Sequence, residues 1–438
     1  MDMKRYIYII ALVLIPLIAK GEWETIPDSL PTARDQMASV MMGTTAYLIG
    51  GNEMSNNVPV PSDCVLSFDM LQREWVNDVP SLLFPRAGAT AVVFNEKIYV
   101  IGGWGIIQHE DTFIETLWTT IEVWSPGQNF WQIACSLNQG REGAKAVVIG
   151  DSLIAVTGGY IGEDRYLNQI TLLEPDSSGI YLNVSENDER FPPLPLPRAM
   201  HGAVYLDNDL FIFGGFYFGP LKDRYRLDNG GWEELDTLDY PLAGMAVTNL
   251  PDVDSSHFAL ISGGFKDYGL DSNVTIMDSQ GDMDEFMHLP FPRANHSMLT
   301  TRIDDKSHIF IAGGTFLTER GPIKLRDVIV YPDDYTPKVL VGSRTNTPAE
   351  FNISAYPNPA NNDARITISP LNTNDEIGIK IFDVLGRELS ASKLSPATGI
   401  IEMSWSSVMN GRHIPAGTYF LAVHQGNRNQ IIKLVRLP

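Results

Sequence analysis

Five arginines recur along the sequence, each followed by small residues, and they have the clearest potential for binding chemistry: Arg34, Arg86, Arg141, Arg198 and Arg293. A guanidinium group holds anionic oxygens through parallel hydrogen bonds, so arginines beside aromatic rings can help to hold a sugar or a peptide. We take Arg86, Arg141, Arg198 and Arg293 as ligand-binding candidates. The alternative is that these arginines tie neighbouring parts of the fold together.

Aromatic side chains supply the second set of candidates. Trp104, Tyr160, Phe216 and Phe265 each directly follow a pair of glycines. A flat ring at the start of a loop can stack on a ligand, and loops are where binding residues concentrate. The alternative is that these rings only pack the ends of the elements that precede them.

Catalytic chemistry has weaker support in the sequence. His201 and His296 each stand three residues after an arginine and could be acid–base residues or copper ligands. Their repetition at one position favours a structural role, because a unique active site breaks symmetry. The sequence contains no recognisable nucleophile, metal or phosphate-binding motif. We therefore predict no catalytic residue, no metal and no cofactor.

Six glycine pairs reveal the elements that must position these side chains. Their first members are 52, 56, 56, 49 and 50 residues apart: Gly50, Gly102, Gly158, Gly214, Gly263 and Gly313. Each pair ends a short apolar run that is typical of a buried strand. In each repeat the arginine, a first strand and a polar turn precede this run, and a third and a fourth strand follow it. The fifth repeat has Leu242 at the arginine position.

Four antiparallel strands in a repeat of about 50 residues predict one blade of a β-propeller. The arginine, the glycine pair and an aromatic in the fourth strand together resemble the Kelch repeat. Those aromatics are Trp75, Trp131, Tyr181, Trp232 and Phe286, one fewer than the glycine pairs. Trp23 supplies the missing one, so we expect the segment from Trp23 to Ile26 to complete the last blade. The predicted fold is all-β, a six-bladed Kelch-type propeller.

The last ninety residues differ from the rest in composition. They contain eight basic and seven acidic residues, whereas the whole chain has a formal net charge of −21. Short strand-like runs separated by turn signals predict a small Ig-like β-sandwich. A carbohydrate-binding or structural module of this fold remains the alternative interpretation.

Several sequence blocks in this region resemble the type A sorting domain of the type IX secretion system. The matching residues are Pro357, Asn358, Pro359, Gly386, Arg387, Gly417, Tyr419, Lys433, Leu434 and Val435. The resemblance implies type IX secretion machinery as a partner and transport across the outer membrane, followed by release or attachment to the cell surface.

The first 21 residues predict a secretory signal peptide, with a membrane anchor as the weaker alternative. We expect residues 22–336 to form the propeller, 337–349 a linker and 350–438 the sorting domain. No later segment is apolar enough to span a membrane, and the acidic composition disfavours nucleic acid as a partner. Cys64 and Cys135 fall in neighbouring blades, where we expect small buried hydrophobes rather than a disulfide framework.

Two functions from different classes follow from the sequence. The first is an exported protein that binds a glycan or a protein at the propeller face carrying the loops after the glycine pairs. The second is a sugar mutarotase or epimerase similar to the Kelch-type N-acetylneuraminate epimerases, with Arg198 or Arg293 holding the sugar acid. A carboxylate or histidine with a shifted pKa in the channel would favour the second function.

Overall fold

A computed structural model describes the chain in two compact units, Met1–Leu340 and Val341–Pro438. In the first unit it describes residues 23–332, except 28, 56–57, 77–78, 110–111, 151, 176–181, 187, 229–230, 254–255 and 319–320. In the second unit it describes 352–356, 365–369, 376–383, 388–395, 401–405, 417–425 and 428–436. The predicted signal peptide and linker lie outside the described residues.

Six four-stranded antiparallel sheets form the first unit, and we number these blades in chain order. Blade 1 consists of β2 (Ala38–Met42), β3 (Thr45–Ile49), β6 (Val65–Asp69) and β7 (Glu74–Val76). Blade 2 consists of β8 (Thr90–Phe94), β9 (Lys97–Ile101), β12 (Thr120–Trp124) and β13 (Gln132–Ser136). Blade 3 consists of β14 (Lys145–Ile149), β15 (Leu153–Thr157), β16 (Ile170–Pro175) and β17 (Leu182–Glu186).

The other three blades repeat this order. Blade 4 consists of β18 (Gly202–Leu206), β19 (Asp209–Phe213), β20 (Arg224–Asp228) and β21 (Gly231–Glu234). Blade 5 consists of β22 (Ala246–Val253), β23 (Ser256–Ser262), β24 (Asn273–Asp278) and β25 (Met283–His288). Blade 6 consists of β26 (Ser297–Ile303), β27 (Lys306–Ala312), β30 (Val328–Pro332) and β1 (Glu24–Thr25). Each innermost strand contacts the innermost strand of the next blade, and β26 contacts β2, so the six blades form a closed ring.

The first residues of the described chain complete blade 6. β1 pairs antiparallel with β30, with Glu24 opposite Val330 and Thr25 opposite Ile329. Ile26 is 2% exposed, and the indole nitrogen of Trp23 donates to the His288 carbonyl at 2.7 Å. The outer edge of blade 6 is therefore covered by a strand from the other end of the propeller.

Hairpin turns between the first two strands of a blade take the left-handed backbone that two-residue turns require. Asn95 and Glu96 have φ of 49° and 57°, and Asp304 and Asp305 have φ of 49° and 62°. In blade 4 the turn residues are Asp207 and Asn208, with φ of 48° and 72°, and β19 starts at Asp209.

The hydrophobic core lies between the blades rather than at one centre. Ile154 and Val156 of blade 3 pack against Ile101 and Ile121 of blade 2, and Leu172 packs in a cluster that includes Ile212 of blade 4. Because each blade is covered on both faces, the part of its second strand nearest the glycine pair is an apolar run, such as residues 210–213 in β19.

The two halves of the ring differ in the loops after the glycine pairs. Blades 6, 1 and 2 extend two-stranded hairpins there, formed by β28 (Thr315–Thr318) with β29 (Gly321–Lys324), β4 (Asn52–Ser55) with β5 (Val58–Pro61), and β10 (Trp104–His109) with β11 (Thr112–Leu117). In blades 3, 4 and 5 the chain makes short turns instead, closed by bonds such as Ile161 N to Arg165 O and Tyr217 N to Gly219 O.

The second unit contains two antiparallel sheets, as expected of a β-sandwich. One contains β31 (Asn352–Tyr356), β32 (Arg365–Ser369) and β35 (Ile401–Ser404). The other contains β33 (Ile377–Asp383), β34 (Glu388–Leu394), β36 (Gly417–Gln425) and β37 (Arg428–Arg436). Their core includes Ile366, Ile379 and Trp405, with the rings of Trp405 and Tyr419 5.4 Å apart.

The sorting-motif residues Gly417, Tyr419, Lys433, Leu434 and Val435 lie in the paired strands β36 and β37, with Tyr419 opposite Leu434. Pro357, Asn358, Pro359, Gly386 and Arg387 lie outside the described residues. Among the described residues no helix is long and apolar enough to cross a membrane.

Candidate functional site: the channel and its mouth

The predicted arginines lie inside the propeller wall. Each donates from Nη1 to the carbonyl of the first glycine of its own blade's pair, as Arg198 does to Gly214 at 2.8 Å and Arg293 to Gly313 at 3.1 Å. The arginine carbonyl in turn accepts from the second glycine of the preceding blade, as in Gly159 N to Arg198 O at 2.9 Å. A Cβ on Gly158 would lie 2.4 Å from that carbonyl, so the close contact between blades requires glycine.

Most of these buried arginines are neutralised by a carboxylate. Arg198 and Arg293 bind Asp223 and Asp327 with two hydrogen bonds each, the shorter ones at 2.6 Å. Arg34 binds Glu53 in the hairpin of blade 1, and Arg86 binds Glu122 in β12, both at 2.5 Å. Burial raises the pKa of Glu122 and lowers the pKa of Arg86, while their mutual attraction opposes both shifts.

Blades 3 and 5 depart from this arrangement. In blade 3, Nη2 of Arg141 and Oε1 of Glu186 are buried without a hydrogen-bond partner among the described residues, and burial lowers the pKa of Arg141 to about 10. In blade 5, Leu242 occupies the arginine position and still accepts from Gly215 N through its carbonyl. Asn273 occupies the position at which blades 4 and 6 have Asp223 and Asp327. Blade 5 therefore lacks both members of the arginine–carboxylate pair.

This geometry favours the structural interpretation of the arginine row. Arg86, Arg198 and Arg293 are 0% exposed and Arg141 is 1% exposed. Their guanidinium groups contact carbonyls and carboxylates of the wall, so these side chains present no surface to a ligand.

The two histidines also lie between blades. His201 Nε2 is 2.8 Å from the Thr157 hydroxyl of the preceding blade, and His296 Nε2 is 2.8 Å from the Ser262 hydroxyl. Burial, with smaller effects of the nearby arginine and Lys145, holds the pKa of each imidazole well below its ordinary value. Both histidines are therefore neutral hydrogen-bonding groups that join blades. Among the described residues no cluster of three potential metal ligands occurs.

A closed ring of backbone hydrogen bonds surrounds one end of the channel, and we call it the collar. Each blade contributes one residue with left-handed backbone: Gln36, Gly88, Gly143, Met200, Gly244 and Asn295. The N–H of each donates to the carbonyl of its equivalent in the preceding blade, over 2.7–3.0 Å, and Gln36 donates to Asn295. The collar residues line the channel on the side of the loops that follow the glycine pairs.

The channel is a cavity of about 870 Å³ along the ring axis. The six innermost strands form its wall, which is mostly small and apolar. Its lining includes Tyr160, Tyr166 and Phe216 at the mouth, Lys145 in the wall, and His257 beyond. A cavity of this size is typical of small-molecule sites.

Two of the four predicted aromatics come together at the channel mouth. Tyr166 lies 5.2 Å from Tyr160 and 6.2 Å from Phe216 between ring centroids, and it also contacts Tyr217 and Phe218 at 5.7 and 5.8 Å. We call these five rings the aromatic cluster. Phe218 is 68% exposed and has φ of 54°, an uncommon backbone for a bulky residue.

Trp104 and Phe265 do not belong to the aromatic cluster. Trp104 starts the hairpin of blade 2, and the Phe265 ring lies against the collar at Gly244. All four predicted aromatics share one backbone contact, a bridge to the residue that follows the arginine position, such as Glu142 with Tyr160. Because the same backbone contact is repeated, aromatic residues recur after the glycine pairs even though only two of the four lie in the aromatic cluster.

Glu142 is a site residue that sequence reasoning missed. Its side chain is largely buried beside the collar and makes no hydrogen bond with the described residues. Burial, with a smaller contribution from Glu115, raises its pKa from 4.5 to about 7. Four blades have alanine at this position, Ala87, Ala199, Ala243 and Ala294, and blade 1 has Asp35, which is paired with Lys324 and Thr315. An acidic residue without such a partner is the signal that could have identified Glu142.

The two cysteines are free thiols, each partly buried. Burial raises the pKa of Cys135 to about 11, so this thiol is protonated at neutral pH.

Comparison with known proteins supports the two-part organisation. Residues 12–215 match the KLHDC2/KLHL20/DRC7 Kelch-repeats domain, and residues 354–436 match the secretion system C-terminal sorting domain. The Kelch repeat and BTB domain-containing protein 1 of horsepox virus is 24% identical over 252 residues, which cover 56% of this chain and 40% of that protein. The Kelch-like protein terF of Aspergillus terreus is 26% identical over 210 residues, which cover 45% of this chain and 43% of that protein. This chain thus spans less than half the length of these relatives.

The solved structure of YjhT has a similar fold, with a TM-score of 0.50 at 14% identity, covering 68% of this chain and 99% of that one. The hydrogen bonds between arginines and glycine pairs, the ring of six blades and the two family matches all indicate the same two-part organisation. The first unit is a six-bladed Kelch-type β-propeller, and the end of the chain matches the secretion system C-terminal sorting domain.

Proposed function

We propose that this exported protein binds a carbohydrate at the channel mouth through the aromatic cluster. The observation that carries this proposal is the group of five rings joined through Tyr166, three of which line the cavity and one of which is 68% exposed. Exposed rings beside a concave cavity can stack on the apolar face of a sugar.

Polar groups around the cluster suit hydroxyl recognition. Glu142, Gln36 and Asn295 line the same cavity, and they offer carboxyl and amide groups to sugar hydroxyls. Glu142 can donate or accept near neutral pH, because its pKa is about 7. The hairpins of blades 6, 1 and 2 border the other half of the face, so the surface is a cup rather than a flat patch. A cup favours a glycan over a protein partner, whose interface is typically larger.

The sorting domain supports an extracellular setting for this binding. Export with secretion or cell-surface attachment would bring the channel mouth into contact with environmental or surface glycans. Fractionation of cells that carry the type IX system distinguishes the two destinations. A released protein would be found in the medium, and an attached one in the cell-surface fraction.

The test is glycan binding by the secreted protein and by two variants. Tyr166→Ala with Phe218→Ala should reduce binding at least about tenfold, because contact aromatics dominate such interfaces. Phe130→Ala is the matched control, since Phe130 is 60% exposed in the turn between β12 and β13, on the opposite face. Unchanged binding by the double variant on a glycan array, or binding only to proteins, would refute the carbohydrate assignment.

A sugar mutarotase or epimerase remains the second candidate, and Glu142 is the observation that favours it. A carboxyl group with a pKa near 7 suits proton transfer at neutral pH. Arg198 and Arg293 cannot hold a sugar acid without leaving Asp223 and Asp327. Anomer interconversion of N-acetylneuraminate, followed by NMR, should be accelerated by the protein and not by Glu142→Gln if this activity exists.

A further inference from the structure

One ring of equivalent positions in the channel wall holds a single charged residue. These positions lie on the innermost strands. Each one pairs, across to the second strand, with the last residue before the glycine pair: Ala38, Thr90, Lys145, Gly202, Ala246 and Ser297. Five are small or neutral, and only blade 3 has a long cationic side chain. The small neighbours leave room around it inside the ring.

The Lys145 ammonium has no counter-charge within the described chain. Its side chain makes no hydrogen bond or ion pair with described residues, whereas its carbonyl accepts from the Thr157 hydroxyl at 3.1 Å. Burial alone lowers its pKa, and the charge is close enough to depress the pKa of both His201 and His296. Lys145 is therefore a partly buried amine that lines the cavity without a counter-charge among the described residues.

A partly buried ammonium without a counter-charge is destabilising, and a bound anion reduces that destabilisation. The cavity of about 870 Å³ is large enough for a small molecule, and Lys145 lies in its lining. We propose that the channel binds a small organic carboxylate, whose carboxylate group contacts the Lys145 ammonium below the collar.

The surroundings favour a singly charged ligand. One lysine neutralises one carboxylate, and the neighbouring wall residues Ala38, Ala246 and Gly202 add no second cation. Glu142 and Glu115 lie on the mouth side, and their carboxylates disfavour the entry of phosphate and other multiply charged anions. The proposal does not depend on the aromatic cluster, because Lys145 is not part of it.

The experiment is calorimetric titration of the full mature chain with acetate, lactate and glucuronate, beside methyl glucoside and inorganic phosphate. At least one carboxylate should bind, and it should bind more tightly than methyl glucoside and phosphate. Lys145→Met should weaken that binding by about tenfold or more, while Lys145→Arg should retain most of it. Lys222→Met is the control, since Lys222 is exposed on a loop of blade 4.

Thermal unfolding separates this role from a structural one. Lys145→Met should melt at least about 2 °C higher than the wild type, because it removes a partly buried charge that has no partner in the described chain. The proposal is overturned if none of the three carboxylates binds, if phosphate or the uncharged sugar binds as tightly, or if Lys145→Met binds like the wild type. A lower melting temperature for Lys145→Met would show that the lysine stabilises the wall and would also overturn it. Loss of glycan binding in the Tyr166 and Phe218 variant bears only on the aromatic cluster.

Discussion

Two sets of equivalent positions in the propeller behave in opposite ways. At the arginine position five blades have the same residue, and every one of those side chains is buried in the wall. At the channel position of Lys145 the other five blades have small neutral residues, and the one exception lines the cavity. Residues that recur in the repeats hold the ring together, whereas residues that depart from the repeat are the ones left available to a ligand.

The physical reason lies in the symmetry of the ring. Every junction between blades must satisfy the same backbone groups at the same distance, so one solution is used repeatedly. A small molecule has no sixfold symmetry of its own, so a ligand in the channel would contact the blades unequally. The proposed contacts Lys145 and Tyr166 depart from the repeat, and Glu142 has an acidic equivalent only in blade 1, Asp35.

Removing the strand that completes blade 6 should have the largest effect on the repeated part. Deletion of residues 22–27 removes Ile26 and the Trp23 hydrogen bond to His288 and exposes the edge of β30. We expect a loss of about 5 kcal/mol or more in the free energy of unfolding, because the buried Ile26, the partly buried Trp23 and a strand are lost. Equal midpoints of the deletion and the full chain in denaturant would show that the ring does not depend on β1.

Two arginines of blade 4 provide a matched test of the wall. Arg198→Ala should lower the free energy of unfolding by about 3–5 kcal/mol, because Asp223 loses its partner and the Gly214 carbonyl loses a donor. Arg226→Ala, which removes a partly exposed pair with Glu233, should cost less than about 1 kcal/mol. Similar losses for both variants would contradict the structural role of the buried row.

Glu142 is expected to have a smaller effect on stability, and this effect depends on pH. Its folded-state pKa of about 7 lies above the ordinary 4.5, so the folded chain holds a proton that the unfolded chain releases. The wild type should therefore lose stability as the pH rises from about 4.5 to 7, by at most about 3 kcal/mol at 1.36 kcal/mol per pKa unit. Glu142→Gln should be the more stable protein above pH 7, and this advantage should vanish below pH 4.5. Parallel stability curves of the two proteins over this range would refute the buried-carboxyl assignment.

The sequence predicted the repeated features well because each leaves six copies of its signal. The glycine pairs mark a backbone that only glycine tolerates, and the period and the aromatics gave the number of blades. The role of the arginines was not predictable, since their carboxylates come from different places, Glu53 in a hairpin, Glu122 in a strand and Asp327 before a strand. Lys145 and Glu142 were missed because departures in one or two blades are recognisable only once the strand register aligns the six blades.

The collar has a consequence for how the chain folds. Five of its hydrogen bonds join consecutive blades, but the bond from Gln36 N to Asn295 O joins the first blade to the last. That bond must wait until almost the whole propeller has been synthesised, and contacts so distant in sequence slow folding. Closure should thus be a late and cooperative step, and a chain truncated before Asn295 would present an open, aggregation-prone ring of five blades to the cell's proteases and chaperones.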